Sequence, residues 1–245
     1  FADTNYEPSK VAVDSGNNIY IVSEGVYAGV IQLANTGKFL GYFTSNKSKL
    51  TPQQMFLKLI YTKEQEKKSE LLNTLPSTFS NVFVDTNGTA YSTCMGIGDD
   101  LLKKHSTNGT NMLGNVKTSS ALTDVTANKD GIIYASDSHG MIWVYTSQGE
   151  VIFQLGAEAA DKDISGLFTS LTTIAVDNSG NIWTADGEKG YLQSFTPTEY
   201  ATTIFKALKE YENGDYKEAL TDWNYVLRLN QMSVLAHNGV ASLLQ

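Results

Sequence analysis

A short unit recurs four times along this chain of 245 residues, and it constrains the fold more than any other feature. Each copy consists of an apolar run, a turn rich in Asp, Asn and Gly, and a second apolar run. This is the pattern of a β-hairpin, because glycine accepts the positive φ that such turns require. The copies are Val11–Val22, Val82–Tyr91, Val125–Asp137 and Ile174–Asp186.

The spacing of the copies indicates repeated sheets rather than isolated hairpins. They align on one turn position, which is occupied by Asp14, Asp85, Asn128 and Asp177, and the intervals are 71, 43 and 49 residues. A second pair of apolar runs follows the first and third copies. Four strands every ~40–50 residues are the blade period of a β-propeller, so the sequence predicts a mainly β fold with four blades.

Residues 51–73 account for the long first interval and carry a helical pattern. Thr51–Gln54 reads as a helix start with Pro at the first helical position, and Met55, Phe56, Leu59 and Ile60 follow at helical spacing. We expect two short helices on one rim of the propeller, acting either as a lid on the blades or as a partner-docking element.

From Glu199 the pattern stays helical to the end of the chain. The small residues Ala207 and Ala219 would let two antiparallel helices approach, with a turn at Gly214–Tyr216. Trp223 is expected in the core between them. The sequence therefore predicts two domains, a propeller at 1–198 and a helical segment at 199–245.

Composition excludes several classes of partner. The net charge of −8 argues against nucleic acid, since phosphate binding depends on Lys and Arg, and equally against anionic lipid. The chain has one cysteine, so it forms no internal disulfide. No stretch approaches ~20 apolar residues, and any membrane contact is expected only through segments absent from this chain.

The sequence shows no catalytic constellation, so no catalytic, cofactor-binding or metal-ligating residue is assigned. His105, His139 and His237 do not recur at equivalent positions of the repeat, which disfavours a histidine-based zinc site. Phosphate-binding glycine loops, nucleophile elbows and Ser-His-Asp sets are also missing. We predict that the protein is not an enzyme.

Two carboxylates have matching places in the repeat. Asp137 and Asp186 end the second strand of the third and fourth copies. They would either cap the following loop through backbone N–H groups or serve a calcium ion or other ligand. Together with the loop aromatics Tyr27 and Trp143, they are our candidate partner-binding residues, although each aromatic could simply be packed.

At this level of detail the chain resembles NHL-repeat propellers. With its helical tail it is similar to the NHL-plus-tetratricopeptide proteins found on the outside of Gram-positive bacterial cells. The stretches that carry the resemblance are Pro8–Asp14, Gly25–Gly29, Thr62–Gln65 and Phe195–Tyr200. It implies a six-bladed ring with about two further blades upstream, and an extracytoplasmic, cell-surface or membrane-anchored location. Cys94–Asp100 departs from the family pattern and is expected to break the second blade.

The resulting hypothesis is a non-catalytic binding or scaffold protein of the cell envelope. Its propeller and helical repeats would present surfaces to a protein, peptide or glycan partner, and no cofactor is expected. The alternative is a metal-dependent hydrolase or lyase with its site in the propeller channel. A purely structural envelope component is the third possibility.

Overall fold

The computed structural model describes residues 6–24, 26, 28–46, 77–96, 98, 100–159 and 163–244. Within these ranges the chain forms sixteen strands and three helices, so the fold is mainly β, as predicted. Packing divides the chain into two units, Phe1–Asp124 and Val125–Gln245. The predicted helices within 51–73 lie outside the described residues, and the division between 1–198 and 199–245 stays a prediction.

The first unit contains two antiparallel sheets. Sheet 1 has the strand order β1-β2-β3-β4 and sheet 2 the order β5-β6-β7. The strands are β1 (Glu7–Val13), β2 (Ile19–Glu24), β3 (Val30–Leu33), β4 (Phe39–Thr44), β5 (Thr78–Val84), β6 (Ala90–Met95) and β7 (Leu102–His105). An isolated bridge between His105 and Asn111 marks the fourth position of sheet 2.

Two further antiparallel sheets follow. Sheet 3 has the order β11-β10-β9-β8 and sheet 4 the order β14-β15-β16, while β12 and β13 form a small parallel pair that the sequence did not predict. The strands are β8 (Leu122–Ala127), β9 (Ile133–Asp137), β10 (Ile142–Tyr145), β11 (Val151–Leu155), β12 (Ala157–Glu158), β13 (Leu167–Phe168), β14 (Leu171–Val176), β15 (Ile182–Asp186) and β16 (Tyr191–Phe195).

Each copy of the repeat forms the first two strands of one sheet, as its pattern predicts. The turn residue three positions after the aligned Asp or Asn has positive φ in every copy. It is Gly88, Gly131 or Gly180 in three copies and Asn17, with φ 61°, in the first. Asn tolerates this left-handed conformation better than most side chains, so the same turn forms without glycine.

Sheet 2 corrects the expectation for its second strand. Cys94 and Met95 belong to β6 and pair with Phe79 and Thr78, so the strand pattern does not break at Cys94. The irregularity begins only at Gly96, whose φ is 123°. Cys94 is fully buried on this strand, where a thiol packs as a small apolar group.

Apolar side chains from neighbouring sheets form the cores. In the first unit Tyr20, Val22 and Val30 of sheet 1 pack with Val82 of sheet 2. In the second unit, residues of sheets 3 and 4 share a cluster that includes Tyr134, Ile142, Val144, Ile174 and Ile182. Each of these clusters joins two sheets through the side chains on one face of each sheet.

The helices are α1 (Glu199–Asn213), α2 (Tyr216–Leu229) and α3 (Val234–Leu243). Thr198 caps α1 through its side chain, and Gly214, with φ 86°, ends it in a left-handed conformation. Trp223, Ala207 and Ala219 are buried where the helices meet, as predicted. Among the described residues, no helix has the length and apolar character needed to span a bilayer.

Candidate functional site

In three of the four copies an aspartate opens the first hairpin turn and accepts hydrogen bonds from its own backbone and from an aromatic side chain six residues later. Asp14 Oδ1 accepts the Asn18 N–H at 2.8 Å, and its Oδ2 accepts the Tyr20 hydroxyl at 2.9 Å. In the fourth copy Asp177 accepts Asn181 N–H at 2.9 Å and Trp183 Nε1–H at 3.1 Å. These carboxylates are therefore structural ligands of the turn.

The strength of this arrangement is visible in the pKa of Asp177. Hydrogen bonds from the side chains of Asn181 and Trp183 lower that pKa to about 2, outweighing desolvation. Each donor favours the charged carboxylate over the neutral acid. Asp177 is therefore ionised at ordinary pH, and both oxygens of its carboxylate accept hydrogen bonds within its own hairpin.

Asp137 and Trp143, two predicted site residues, are brought together by the second hairpin of sheet 3. Asp137 is 3% exposed; its Oδ1 accepts the backbone N–H groups of His139 and Met141, both at 3.0 Å. Its Oδ2 accepts Trp143 Nε1–H at 3.1 Å. Trp143 also stacks on Tyr145 with a centroid separation of 6.2 Å, so its ring and its indole N–H are both engaged by the sheet.

Asp186 caps a larger loop at the equivalent place in sheet 4. Its carboxylate is 2% exposed and accepts four backbone N–H groups, from Thr169 at 2.7 Å, Lys189 at 2.9 Å, Glu188 at 3.1 Å and Ser170 at 3.3 Å. Burial by itself would raise the pKa of Asp186, but the backbone donors prevail and lower it. Both oxygens are occupied by the protein's own chain.

The remaining candidates are dispersed. Tyr27 lies outside the described residues, so its prediction has no structural account. His139 is an exposed turn residue, and His237 contacts the Gln231 carbonyl through Nε2 at 2.9 Å. Among the residues that the structure describes, no cluster of three or more His, Cys, Asp or Glu side chains could hold a metal ion.

Sequence reasoning missed a buried Ser–His pair in sheet 2. His105 Nε2 lies 2.8 Å from Ser92 Oγ, and His105 Nδ1 lies 3.1 Å from the Gly109 carbonyl oxygen. Burial, with a smaller effect of Lys103, lowers the pKa of His105 to about 4, so the imidazole is neutral at pH 7. The carbonyl then fixes the proton on Nδ1, and Ser92 donates to Nε2.

This pair has the bonding pattern of a nucleophile and its base, yet both side chains are buried, at 0% and 3% exposure. A substrate needs access to the serine oxygen, which this burial denies. Only the cross-strand placement of Ser92 and His105, which depends on the register between β6 and β7, could have revealed the pair.

Cys94 belongs to a second buried polar group in the same sheet. Its Sγ contacts Asn46, which also accepts from Lys103 Nζ, and the Lys103 ammonium lies 4.9 Å from the centroid of the Phe79 ring. Burial raises the pKa of the Cys94 thiol despite the nearby lysine. A buried thiol with a raised pKa is a poor nucleophile.

Sheet 1 has apolar side chains on both faces, and the face opposite Tyr20, Val22 and Val30 is exposed in part. Its cross-strand pairs align in two rows, Val11–Ile21–Ile31–Tyr42 and Val13–Ile19–Leu33–Phe39. The ends of the rows are strongly exposed: Val11 is 65%, Val13 53%, Tyr42 44% and Phe39 42% exposed. Ile21 and Ile31, in the middle of the first row, are only 8% and 1% exposed and pack with Val26. We call the other six residues the apolar face of sheet 1. Its continuous part is the row from Val13 to Phe39, in which Ile19 and Leu33 are half-buried.

The four sheets built from a four-fold repeat place this chain in the β-propeller-like class, and comparison with solved structures supports that class. It is similar to virginiamycin B lyase from Staphylococcus aureus, with a TM-score of 0.50 and 12% identity over 82% of this chain and 59% of that one. A Bacteroides thetaiotaomicron protein of unknown function gives a TM-score of 0.50 and 16% identity over 78% and 45%.

A protein of unknown function from Bacteroides caccae gives a TM-score of 0.48 and 11% identity, covering 80% of this chain and 58% of that one. The chain thus spans less than two thirds of the length of these structures. No family profile matches the sequence, and no curated protein matches it. At such low identity the likeness establishes the fold alone.

Proposed function

We propose that this protein is a non-catalytic binding or scaffold module whose main contact surface is the apolar face of sheet 1. The partner is a protein or peptide that contributes apolar side chains. A glycan is the alternative partner, since two of the four exposed ends, Phe39 and Tyr42, are aromatic. The observation that carries this proposal is the exposure of Val11, Val13 and Phe39 on a sheet that is already packed on its other face.

The finer assignments belong to the same proposal. The four sheets would be NHL blades of a six-bladed ring, and α1 to α3 would begin a tetratricopeptide array. The location would be extracytoplasmic, at the surface of a Gram-positive cell. These proposals are supported by the residues that carry the family resemblance and by the propeller-like fold.

The hydrogen bonds of the two buried carboxylates favour a binding function over a catalytic one. Asp137 and Asp186 would otherwise be the candidates for a calcium or catalytic site, but their oxygens accept backbone and indole N–H groups. A metal would have to displace several hydrogen bonds from each buried carboxylate. The proposal therefore includes no cofactor.

Charge placed on the apolar face tests this function. V13D should lose at least tenfold in affinity for partners recovered by cross-linking from envelope extracts of the producing organism, because a carboxylate would have to be desolvated in the contact. T36D, in the exposed β3–β4 turn, is the matched control and should bind as the unaltered protein does. A recovered partner that binds V13D with unchanged affinity would refute the assigned surface.

The rival function is a metal-dependent hydrolase or lyase, suggested by the fold of virginiamycin B lyase. Metal analysis of the purified protein separates the two. We expect substoichiometric metal that dialysis removes without change in thermal stability. A stoichiometric ion whose removal lowers the melting temperature would favour the enzyme.

A further inference from the structure

A cavity of about 640 Å³ lies in the first unit, between the end of β4 and the loops on either side of β7. This volume falls in the range of sites for small ligands. The walls are mixed in character, with an aromatic ring, hydroxyl groups, an amide and charged groups. The described residues that supply these groups include Tyr42, Thr44, Asp100, Lys103, Thr110 and Asn111.

Close packing holds the two walls of this cavity together. A Cβ atom built on Gly109 would overlap the Phe43 carbonyl oxygen, so a larger residue would push the 106–110 turn away from β4. The Gly109 N–H donates to the Ser106 carbonyl at 2.9 Å, and the rings of Phe43 and His105 meet edge-on with centroids 5.3 Å apart. The cavity is therefore preformed by the packing of sheet 1 on sheet 2.

Polar groups of the walls have hydrogen-bonding capacity that the protein does not use. Asn111 Oδ1 accepts the N–H groups of Lys104 at 3.3 Å and Leu113 at 3.1 Å, which fixes the amide and leaves Nδ2 without a partner among the described residues. The Thr44 hydroxyl also makes no hydrogen bond to the described part of the chain, although Thr44 is only 8% exposed. Neither atom belongs to the unpaired polar atoms that are buried, so both are open to solvent.

The charged groups of the cavity favour a ligand without net charge. Lys103 is 3% exposed, donates to Asn46 Oδ1 and places its ammonium 4.9 Å from the centroid of the Phe79 ring. Asp100 borders the same cavity with an exposed carboxylate. An anion would be repelled by Asp100 and a cation by Lys103.

We propose that this cavity is a binding site for an uncharged pyranose sugar. Sugar hydroxyl groups both donate and accept, which matches the hydroxyls of Thr44 and Thr110 and the Asn111 Nδ2 donor. The apolar C–H side of the ring would pack on Tyr42, which is 44% exposed at the border of the cavity. The site shares only Tyr42 with the apolar face of sheet 1 and does not rest on the function proposed above.

Saturation-transfer NMR tests the proposal with four probes at millimolar concentration: D-glucose, D-galactose, D-mannose and N-acetyl-D-glucosamine. We expect at least one of them to bind the unaltered protein. T44V replaces the hydroxyl by a methyl group of the same size and should weaken that sugar roughly three- to tenfold. T36V makes the same change in the exposed β3–β4 turn and should leave the dissociation constant unchanged.

The side-chain amide resonances of Asn111 locate the bound sugar. They should shift on titration, whereas those of Asn87, in the exposed β5–β6 turn, should not. V13D on the apolar face of sheet 1 should bind the sugar as the unaltered protein does, so failure of this site is distinguishable from failure of the sheet 1 contact. Circular dichroism and the melting temperature establish that each variant is folded.

Failure of all four sugars to bind the unaltered protein would overturn the proposal. Equal affinity in T44V and T36V, or shifts that spare Asn111, would place the sugar outside this cavity. A loss in V13D as large as that in T44V would assign the sugar to the apolar face instead. Should T44V not fold, T110V takes its place, because Thr110 is an exposed residue of the same wall.

Discussion

At the scale of single residues, backbone N–H groups decide what the buried carboxylates do. Asp186 accepts four of them and so ties Thr169 and Ser170 to Glu188 and Lys189, two segments that are distant in sequence. A side chain that joins two loops in this way is costly to replace, because the freed N–H groups stay buried.

We therefore expect Asp186→Asn to lower the free energy of unfolding by about 2 kcal/mol, since its amide N–H₂ would face donors in place of an acceptor. Urea denaturation measures the change. Glu188→Gln, which removes the same charge from an exposed neighbour, should leave stability within about 0.5 kcal/mol. Equal effects of the two substitutions would show that charge, and not capping, is responsible.

His105 makes stability depend on pH. Its pKa falls from the ordinary 6.5 to about 4 on folding, so below pH 6.5 the unfolded chain binds a proton that the folded protein excludes. The contribution of neutral His105 to the free energy of unfolding is fully present above about pH 6.5 and is lost as the pH falls toward 4. Across this window the free energy of unfolding falls by on the order of 3 kcal/mol.

Urea unfolding between pH 7 and pH 4 tests this effect with His105→Gln. The variant should be less stable at pH 7 but should show a shallower loss of stability toward pH 4. His237→Gln, at an exposed histidine, is the control and should follow the unaltered protein. A His105→Gln curve parallel to that of the unaltered protein would mean that other groups govern the acid response.

At the scale of elements, the approach of α3 to α2 depends on one glycine. A Cβ atom built on Gly239 would lie 2.5 Å from Trp223 Cε2, far inside van der Waals contact. Trp223 is 2% exposed and surrounded by the helix core, so it cannot move away cheaply.

Gly239→Ala should therefore weaken the docking of α3 by about 1–3 kcal/mol, although alanine favours helix formation. Hydrogen exchange of the α3 amides reports the change directly. Asn238→Ala changes the exposed residue one position earlier in the same helix and is the control. In this variant the α3 amides should exchange as slowly as in the unaltered protein, or more slowly. Faster exchange in both variants would point to helix propensity rather than to the clash.

At the scale of the molecule, the helices and sheets of the second unit share a core. Phe205 and Leu208 of α1 pack on the cluster formed by sheets 3 and 4, and they also belong to the core of the helices. Phe153 of β11 lies 6.0 Å from Phe205, measured between ring centroids. The helical segment thus completes the hydrophobic core of this unit.

Removal of residues 199–245 should lower the apparent melting temperature by roughly 5 °C or more and expose surface that binds a hydrophobic dye, because the sheets lose Phe205 and Leu208. Removal of 231–245 alone keeps α1 and α2 and should have a smaller effect. If the longer truncation leaves the melting temperature unchanged, the helices are an independent domain after all.

Several features followed from the sequence because they depend on local rules. The four hairpins are encoded by alternating apolar residues around Asx-Gly turns, and the helical tail by its caps at Thr198 and Gly214. Trp223 was expected in the core on spacing alone. Asp137 and Asp186 were recognisable as loop ends because the residues that they bond are mostly near them in the chain.

Other features arise only in three dimensions. Cys94 continues a strand because its partner Phe79 lies in register, and the Ser92–His105 pair exists because β6 and β7 are aligned. A cavity of about 300 Å³, lined by Phe153, Ile182 and Phe205, lies where sheets 3 and 4 and α1 do not fill the space between them. The sequence by itself thus determined which segments fold into hairpins and helices, since turns and periodicity act between near neighbours. Packing between distant segments decided which polar groups are buried, which are paired and where space remains.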